Sequence, residues 1–498
     1  MRKPFDLHPL LPIIVLAYLA LGVAYAVNTP KWEVPDEPAH YNYVRHLAET
    51  GRFPVLQMGD YPHDYLEEIK AAKFPDAMSI DPIRYEAHQP PLYYLLAAVL
   101  YKATSSLPLD RQVIVLRLLS VVLGGLLLCV AHRLVREIFP RDEILALATT
   151  AFVATVPMHI AMTAAINNDA LAELILSLLL LLAVRRLKNA IPTRGYVLLG
   201  GLLFGLGLLT KTTVYPALLL LAVVEVGRWW LQERRSRPPL RPLVALLTLS
   251  LSLSSWWFAR NLLTYGDLDL FGWRRHDAIV VGQPRTAEWV AQFGARYVAK
   301  AFALTTFKSF WAQFGWMGIL VDQRIYLALA LLCAVVALGL VLLATNPSTR
   351  LRTGSTNLPS QKGIALGLLA LSALLTLFSY FWYNLDFIQH QGRYLFPALI
   401  PLGLAFALGL REILARENAK IATFLLLAGA LILIAKGLIT GDFNKLGISL
   451  LSGAVGAFGI KVLLPEKYDN LVFALPYLGL LGLDLICLFK FIIPYFQS

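Results

Sequence analysis

Charge is scarce in this chain of 498 residues: Asp, Glu, Lys and Arg make up 15%, against 57% hydrophobic residues. Soluble domains carry about 25% charged residues, so a body covered by water on all sides is excluded. Cysteine is nearly absent. Cys129, Cys333 and Cys487 all lie within apolar runs, which excludes a disulfide framework, and no zinc-ligand spacing occurs. Acidic residues are in deficit, 32 against 44 Lys and Arg. That surplus does not point to nucleic acid, because the basic residues gather in short segments between apolar runs, as the positive-inside rule produces. Internal repeats are also missing, which argues against the paired halves common in transporters.

What the sequence does contain is apolar runs of about 18 residues or more, recurring to its end, each needing lipid. Leu10–Val27 is the first. It follows Met1-Arg2-Lys3, and Ala24-Tyr25-Ala26 resembles a leader cleavage site, but the reading adopted is a retained first helix. Residues 29–90 carry 11 acidic and 6 basic side chains, too polar to cross lipid, and are expected outside. Spans follow at about 111–131, 144–163 and 168–184. The segment from Arg185 to Arg194 has four basic and no acidic residues and is expected inside. That parity requires Pro91–Ala103 not to cross. It is read as a juxtamembrane or re-entrant helix.

Tyr196–Glu225 would reach about 45 Å as one helix, too long for a single crossing of a core about 30 Å thick. Both its flanks, 185–194 and 228–241, are basic. A hairpin of two short helices with its tip at Thr210-Lys211-Thr212-Thr213 is therefore expected. A span at 240–258 leads to a second external loop, 259–320. Later spans are placed at about 321–344, 363–382, 395–411, 421–440, 446–464 and 471–494, with basic segments 346–362 and 411–420 inside. The expectation is an all-α integral membrane protein with about 13 transmembrane helices and extracytoplasmic juxtamembrane helices.

The chemically unusual residues fall almost entirely on the expected outer side. Asp36 and Glu37 follow the first span by about nine residues, with His40 one turn on. Adjacent carboxylates suit general-base work or a divalent ion. Equally, Asp36 suits the N-cap of a helix over 38–49, with Glu37 favourable in its first turn. Glu86-Ala87-His88-Gln89-Pro90-Pro91 closes the same loop, and two prolines fix the entry to the next helix. Asn167-Asn168-Asp169 lies between two spans, as a turn and cap or as a second external carboxylate. Lys211 at a hairpin tip fits interfacial snorkelling or a phosphate. Arg260 follows Trp256-Trp257, an interfacial belt. Arg393, before Tyr394, opens a span and suits bidentate pairing with phosphate oxygens. Asp484 stands alone in mid-span, where a carboxylate is costly. Carboxylates on two outer loops and cations at three outer helix ends describe a site for a phosphorylated, membrane-borne molecule.

These segments resemble the C-fold (GT-C) glycosyltransferases that use polyprenyl-phosphate sugars, above all the protein O-mannosyltransferase and lipid A aminoarabinose transferase group. Pro35-Asp36-Glu37-Pro38-Ala39-His40-Tyr41 resembles their first acidic motif. His88-Gln89-Pro90-Pro91-Leu92-Tyr93-Tyr94 resembles their HPPL or KPPL-type motif, with Gln89 as an extra residue. Asn168-Asp169-Ala170-Leu171 is similar to the second acidic loop, and Leu208-Leu209-Thr210-Lys211 and Gly392-Arg393-Tyr394-Leu395-Phe396-Pro397 also match in order. The stretch Asp36–His40 further resembles a group of predicted bacterial membrane proteins with a PDEPAH-like start. The likeness covers roughly residues 10–410.

The resemblance implies a catalytic membrane module over 1–410 with external loops 29–110 and 259–320, and C-terminal transmembrane helices over 411–498 without a separate soluble domain. It implies an inverting transferase at the plasma membrane, moving a sugar from a polyprenyl-phosphate donor to an extracytoplasmic hydroxyl of a lipid, glycan or protein. Asp36 would be the general base. Arg393, with Lys211 and Arg260, would stabilise the departing phosphate. Glu37 and Asp169 would orient acceptor, sugar or a divalent ion, for which Asp36, Glu37 and Asp169 are the candidate ligands. His40, His88 and Tyr394 would contact substrate, with loop 259–320 as lid. A transporter or flippase, and a lipid-linked glycan ligase, are the alternative functions.

Overall fold

The computed structural model describes residues 8–232, 240–345 and 361–497. The basic N-terminus, Arg234, Arg235 and Arg237, and most of the segment 346–362 lie outside the described residues. Among the described residues the chain is almost wholly helical. α1 (Leu10–Asn28) is followed by α2 (Glu37–Thr50), α3 (His63–Ala71), a 3₁₀ turn at Tyr85–His88 and α4 (Leu92–Ala103). Then come α5 (Leu109–Ile138), α6 (Glu143–Ala154), α7 (Pro157–Thr163), α8 (Asp169–Leu187), α9 (Thr193–Leu208), α10 (Ala217–Gln232) and α11 (Leu240–Tyr265).

The segment expected as a second loop is mostly helix: α12 (Trp273–Ile279), α13 (Thr286–Phe293) and α14 (Ala295–Trp311), closed by a hairpin pairing Gln313–Phe314 with Ile319–Leu320. Period-2 and loop cues are absent from 295–311, and its aromatics suit a helix lying along the bundle as well as a loop. α15 (Gln323–Thr345) and α16 (Gln361–Asp386) precede a 3₁₀ segment, Gly392–Ala398, which runs into α17 (Leu399–Ile413). α18 (Arg416–Thr440) and α19 (Lys445–Leu463) pair with each other at the periphery. α20 (Asp469–Ile486) ends in a π-turn, Cys487–Ile492.

Among the described residues ten helices are long and apolar enough to cross a membrane, or eleven if one bent pair counts as a crossing, against about thirteen expected. The difference has two causes. α8 carries Asp169, Glu173, Arg185 and Arg186, more charge than a lipid-exposed span tolerates. α9 has 16 residues, about 24 Å of helix. The bent pair is α6 and α7, which meet at 66°. Pro157 supplies the reason: its ring forces Val156 into an extended conformation and it has no N–H to donate.

The core is a continuous apolar cluster through α1, α4 to α10 and α15 to α17. Several polar side chains inside it are paired. The Tyr18 hydroxyl donates to Thr163 at 2.7 Å, His159 meets Glu173 at 2.9 Å, and Arg186 bonds Glu225 at 2.7 Å. Buried polar groups need such partners. Asp484 departs from this pattern. It is fully buried with both carboxyl oxygens unpaired, and only its backbone carbonyl is used, by the Tyr25 hydroxyl at 2.9 Å. The three cysteines are free.

Candidate active site

The chain enters α2 through Asp36, whose backbone is left-handed at φ 70°. Aspartate tolerates that region better than most residues, and Gly51, also left-handed, ends the same helix. Asp36 occupies the N-cap position, but its carboxylate caps nothing. Instead Oδ1 accepts from the Tyr85 hydroxyl at 2.8 Å and Oδ2 accepts from Arg393 Nη2 at 2.6 Å. Residues 357 positions apart thus form an ion pair, with side-chain exposures of 25% and 9%. Burial alone would push the Asp36 carboxyl up; Arg393, His40 and the Tyr85 hydroxyl outweigh it and hold it at about 2.

Arg393 is aimed by its neighbour. The Gly392 amide donates to Ser309 Oγ at 2.7 Å, and a Cβ there would run into the backbone of Phe310 and Thr306. Only glycine lets the 3₁₀ segment lie this close to α14. The guanidinium stacks over the Tyr394 ring at 5.3 Å, and Tyr394 in turn packs on Tyr380 and Tyr383. Its Nε–H is buried without a partner.

A second ion pair lies beside the first. Lys211, at the turn between α9 and α10, donates to Asp169 Oδ1 at 2.6 Å, and Arg393 also acts electrostatically on Asp169. The first amide of α8, that of Asp169, donates to Asn167 Oδ1 at 3.0 Å, and the Asp169 carboxylate is left for Lys211. Asn168 donates to Gln89 Oε1 and the Thr210 carbonyl. His40 Nδ1 lies 2.8 Å from the Tyr94 hydroxyl, and burial keeps this imidazole below its usual proton affinity. Glu86 completes the cluster, within electrostatic reach of Asp36, His40 and Lys211, its carboxyl pushed up by burial. Four polar atoms here are buried without partners: Glu86 Oε2, Asn168 Oδ1, Gln391 Oε1 and Arg393 Nε. Such orphans are rare in folded proteins and need an explanation.

Some expected site residues are placed elsewhere. Glu37 is 0% exposed, and its carboxylate accepts from Arg117 Nε at 2.7 Å and Nη2 at 2.6 Å, and from the amides of Trp32 and Ile166. Arg117 spends its remaining donors on the carbonyls of Ala26, Thr29 and Pro30. Every Glu37 oxygen is therefore committed to holding the end of α1 against α2. Arg260 is also turned away. It donates to the Pro54 carbonyl and to Tyr265, and lies over Trp257 at 4.8 Å, fixing the 51–57 segment to α11. His88 is buried rather than solvated. Its Nδ1 meets the Tyr85 carbonyl at 3.0 Å, its ring lies 4.5 Å from His276, and burial lowers it to about 4.

Asp36, Glu37 and Asp169 each have a cation of their own, and among the described residues no three His, Cys, Asp or Glu side chains gather as a metal site. The residues as arranged do not fit a divalent ion. The residues that sequence reasoning passed over are Tyr85, Tyr94, Glu86 and Arg117. Arg117 carried a usable signal, a lone arginine within an apolar helix, which must find a partner.

Comparison with known proteins gives two positive findings. The family model described as "Predicted membrane protein (DUF2142)" matches residues 76–402, more than half of the chain. Among solved structures, ArnT from Cupriavidus metallidurans bound to undecaprenyl phosphate is similar with a TM-score of 0.52 and 14% identity, over 96% of this chain and 76% of that one. The apo state of the same protein gives 0.53 and 14% over the same shares. ArnT is a lipid A aminoarabinose transferase with the GT-C fold, and the present chain shares that fold. No curated protein matches.

Proposed function

We propose that this chain, which belongs to the DUF2142 family of predicted membrane proteins and has the GT-C fold, transfers a sugar from a polyprenyl-phosphate donor to an acceptor hydroxyl. The site would face the extracytoplasmic side of the plasma membrane, the side opposite the basic segments. The observation that carries this reading is the Asp36–Arg393 pair, with an unused, buried Arg393 Nε–H beside it. A guanidinium with spare donors at the end of a membrane bundle suits a phosphate whose lipid tail stays in the bilayer.

In this mechanism the donor phosphate takes Arg393, with Lys211 contributing a second cation. Asp36 loses its partner and its proton affinity rises from about 2 towards the ordinary carboxylate range. It then accepts the proton of the acceptor hydroxyl as that oxygen bonds to the anomeric carbon. The bond from this carbon to the phosphate oxygen breaks, and its electron pair leaves with the lipid phosphate. Attack opposite the leaving group inverts the anomeric centre. The phosphate is a weak base, so electrostatic stabilisation by Arg393 and Lys211 replaces an acid. Tyr85 keeps Asp36 in place throughout, and Glu37, through Arg117, fixes the backbone that carries it.

The test is transfer from a panel of radiolabelled polyprenyl-phosphate sugars by the purified chain in lipid. Turnover with one donor, abolished by Asp36→Asn in a folded protein, is the expected result. Turnover of that variant at the unmodified rate would remove Asp36 from the base role.

A further inference from the structure

The 84–89 segment has two sides. Tyr85 and Glu86 belong to the ion-pair cluster, whereas Arg84 and Ala87 line a separate cavity of about 260 Å³ between α2 and residues 52–60. The walls are fixed. Phe53 packs on Trp256 and Trp257 at 5.5 and 5.7 Å, and Arg260 holds the Pro54 carbonyl. The Tyr43 ring stacks on Tyr94 at 3.7 Å and its hydroxyl donates to the Gln89 carbonyl at 3.2 Å, so this wall backs directly onto the residue that meets His40.

The lining is chemically specific. Asn42 gives both amide hydrogens to the carbonyls of Ile80 and Ile83, at 2.7 and 2.8 Å, which fixes which end of the amide points where. Its Oδ1 is left buried and unpaired, on a residue that lines the cavity and is 3% exposed. An orphan acceptor of this kind asks for a hydroxyl or amide hydrogen. The charge is uneven. Arg84 is matched by Asp60 at 3.1 Å, and Asp60 also accepts from the Gln57 amide. Arg52, on the rim, has no acidic partner among the described residues, and His46 stands on the same wall.

We infer that this cavity binds a hydroxylated ring carrying an anionic group, an acidic or phosphorylated sugar, through Asn42, Arg52 and the Tyr43 and Phe53 rings. That the sugar belongs to the acceptor rests on the glycosyl-transfer reading; the cavity's ligand class does not. Aromatic walls with a few aimed polar groups are the usual composition of small-ligand sites, and an unmatched arginine selects for an anion.

The experiment uses the full chain in lipid nanodiscs and titrates glucuronic acid, glucose 6-phosphate, glucose and inorganic phosphate by saturation-transfer NMR. Polyprenyl phosphate is titrated separately. Both charged sugars bind, and the stronger of them distinguishes a carboxylate from a phosphate ligand. Uncharged glucose binds at least about tenfold more weakly, the loss of one charge-assisted contact. Arg52→Gln, an exposed substitution, weakens the charged sugars about tenfold and leaves polyprenyl phosphate unchanged. Arg393→Gln does the reverse. Glucose binding as well as glucuronic acid, phosphate binding as well as glucose 6-phosphate, or an Arg52→Gln protein indifferent to the change would each overturn the inference. Charged-sugar binding without any polyprenyl-phosphate binding supports the cavity's ligand class and sinks the donor reading.

Discussion

Removing the negative charge of Asp36 should tighten the binding of lipid phosphate while stopping transfer. The reasoning starts from competition. The Arg393 guanidinium is occupied by Asp36 Oδ2 at 2.6 Å, and a phosphate must displace that carboxylate before it can use the same donors. The fall of the Asp36 carboxyl from 3.8 to about 2 corresponds to roughly 2 kcal/mol at about 1.36 kcal/mol per tenfold change. In Asp36→Asn the amide still bonds the Tyr85 hydroxyl but no longer neutralises Arg393. The affinity for polyprenyl phosphate should then rise by about tenfold to thirtyfold. Without ligand the variant is less stable, because a buried cation is left unpaired, and added lipid phosphate raises its melting temperature more than it raises that of the unmodified chain. Native mass spectrometry in nanodiscs, or a fluorescent lipid-phosphate titration, measures the affinity. Weaker binding by Asp36→Asn would refute the competition and show that the carboxylate holds Arg393 in its binding pose.

Arg117→Ala isolates the Glu37 carboxylate at 0% exposure and frees three carbonyls; a loss of about 3–5 kcal/mol is expected, read as a collapse of the thermal transition in detergent. An unchanged transition would show that the 29–37 segment is held by other contacts. Gly392→Ala must push the 3₁₀ segment off α14, so lipid-phosphate affinity falls at least about tenfold as Arg393 moves, an effect of misplacement by about an ångström; equal affinity would mean the backbone yields elsewhere. His88, held at about 4 against 6.5 when unfolded, is neutral in the fold. The unfolded chain binds the proton first, so this residue destabilises the protein as pH falls from about 6.5 to about 4. His88→Gln should flatten that part of the stability profile, and a profile as steep as before would assign it to another group.

Much of this arrangement was legible in the sequence because lipid imposes simple arithmetic. Charge parity requires Pro91–Ala103 not to cross, and α4 is a 12-residue helix, about 18 Å long. Charge on both flanks split 196–225, and the break falls at Thr212–Val214. Asp36 with Arg393, and Asp169 with Lys211, were assigned to one site from their positions at helix ends, and each pair is in contact. What stayed hidden depends on side-chain direction. Adjacent residues on a turn diverge, so Asp36 and Glu37 serve different partners, one reaching the cluster and the other Arg117. Arg260 follows the tryptophans as expected, but α11 continues to Tyr265, which points its guanidinium at the Pro54 carbonyl. Glu86 is not legible as a site residue, because nothing in its spacing distinguishes a buried carboxyl from a solvated one.

The Glu37–Arg117 clamp joins residues 80 positions apart, whereas the Asp36–Arg393 bridge spans 357. During synthesis the first can close once α5 has entered the bilayer, while the second must wait for the ribosome to deliver nearly four hundred residues. The nascent protein therefore holds its first loop shaped and its carboxylate without a counter-ion through most of membrane insertion. The pair is complete only once the late helices dock, and a translation product truncated before residue 393 would carry the pre-shaped loop without it.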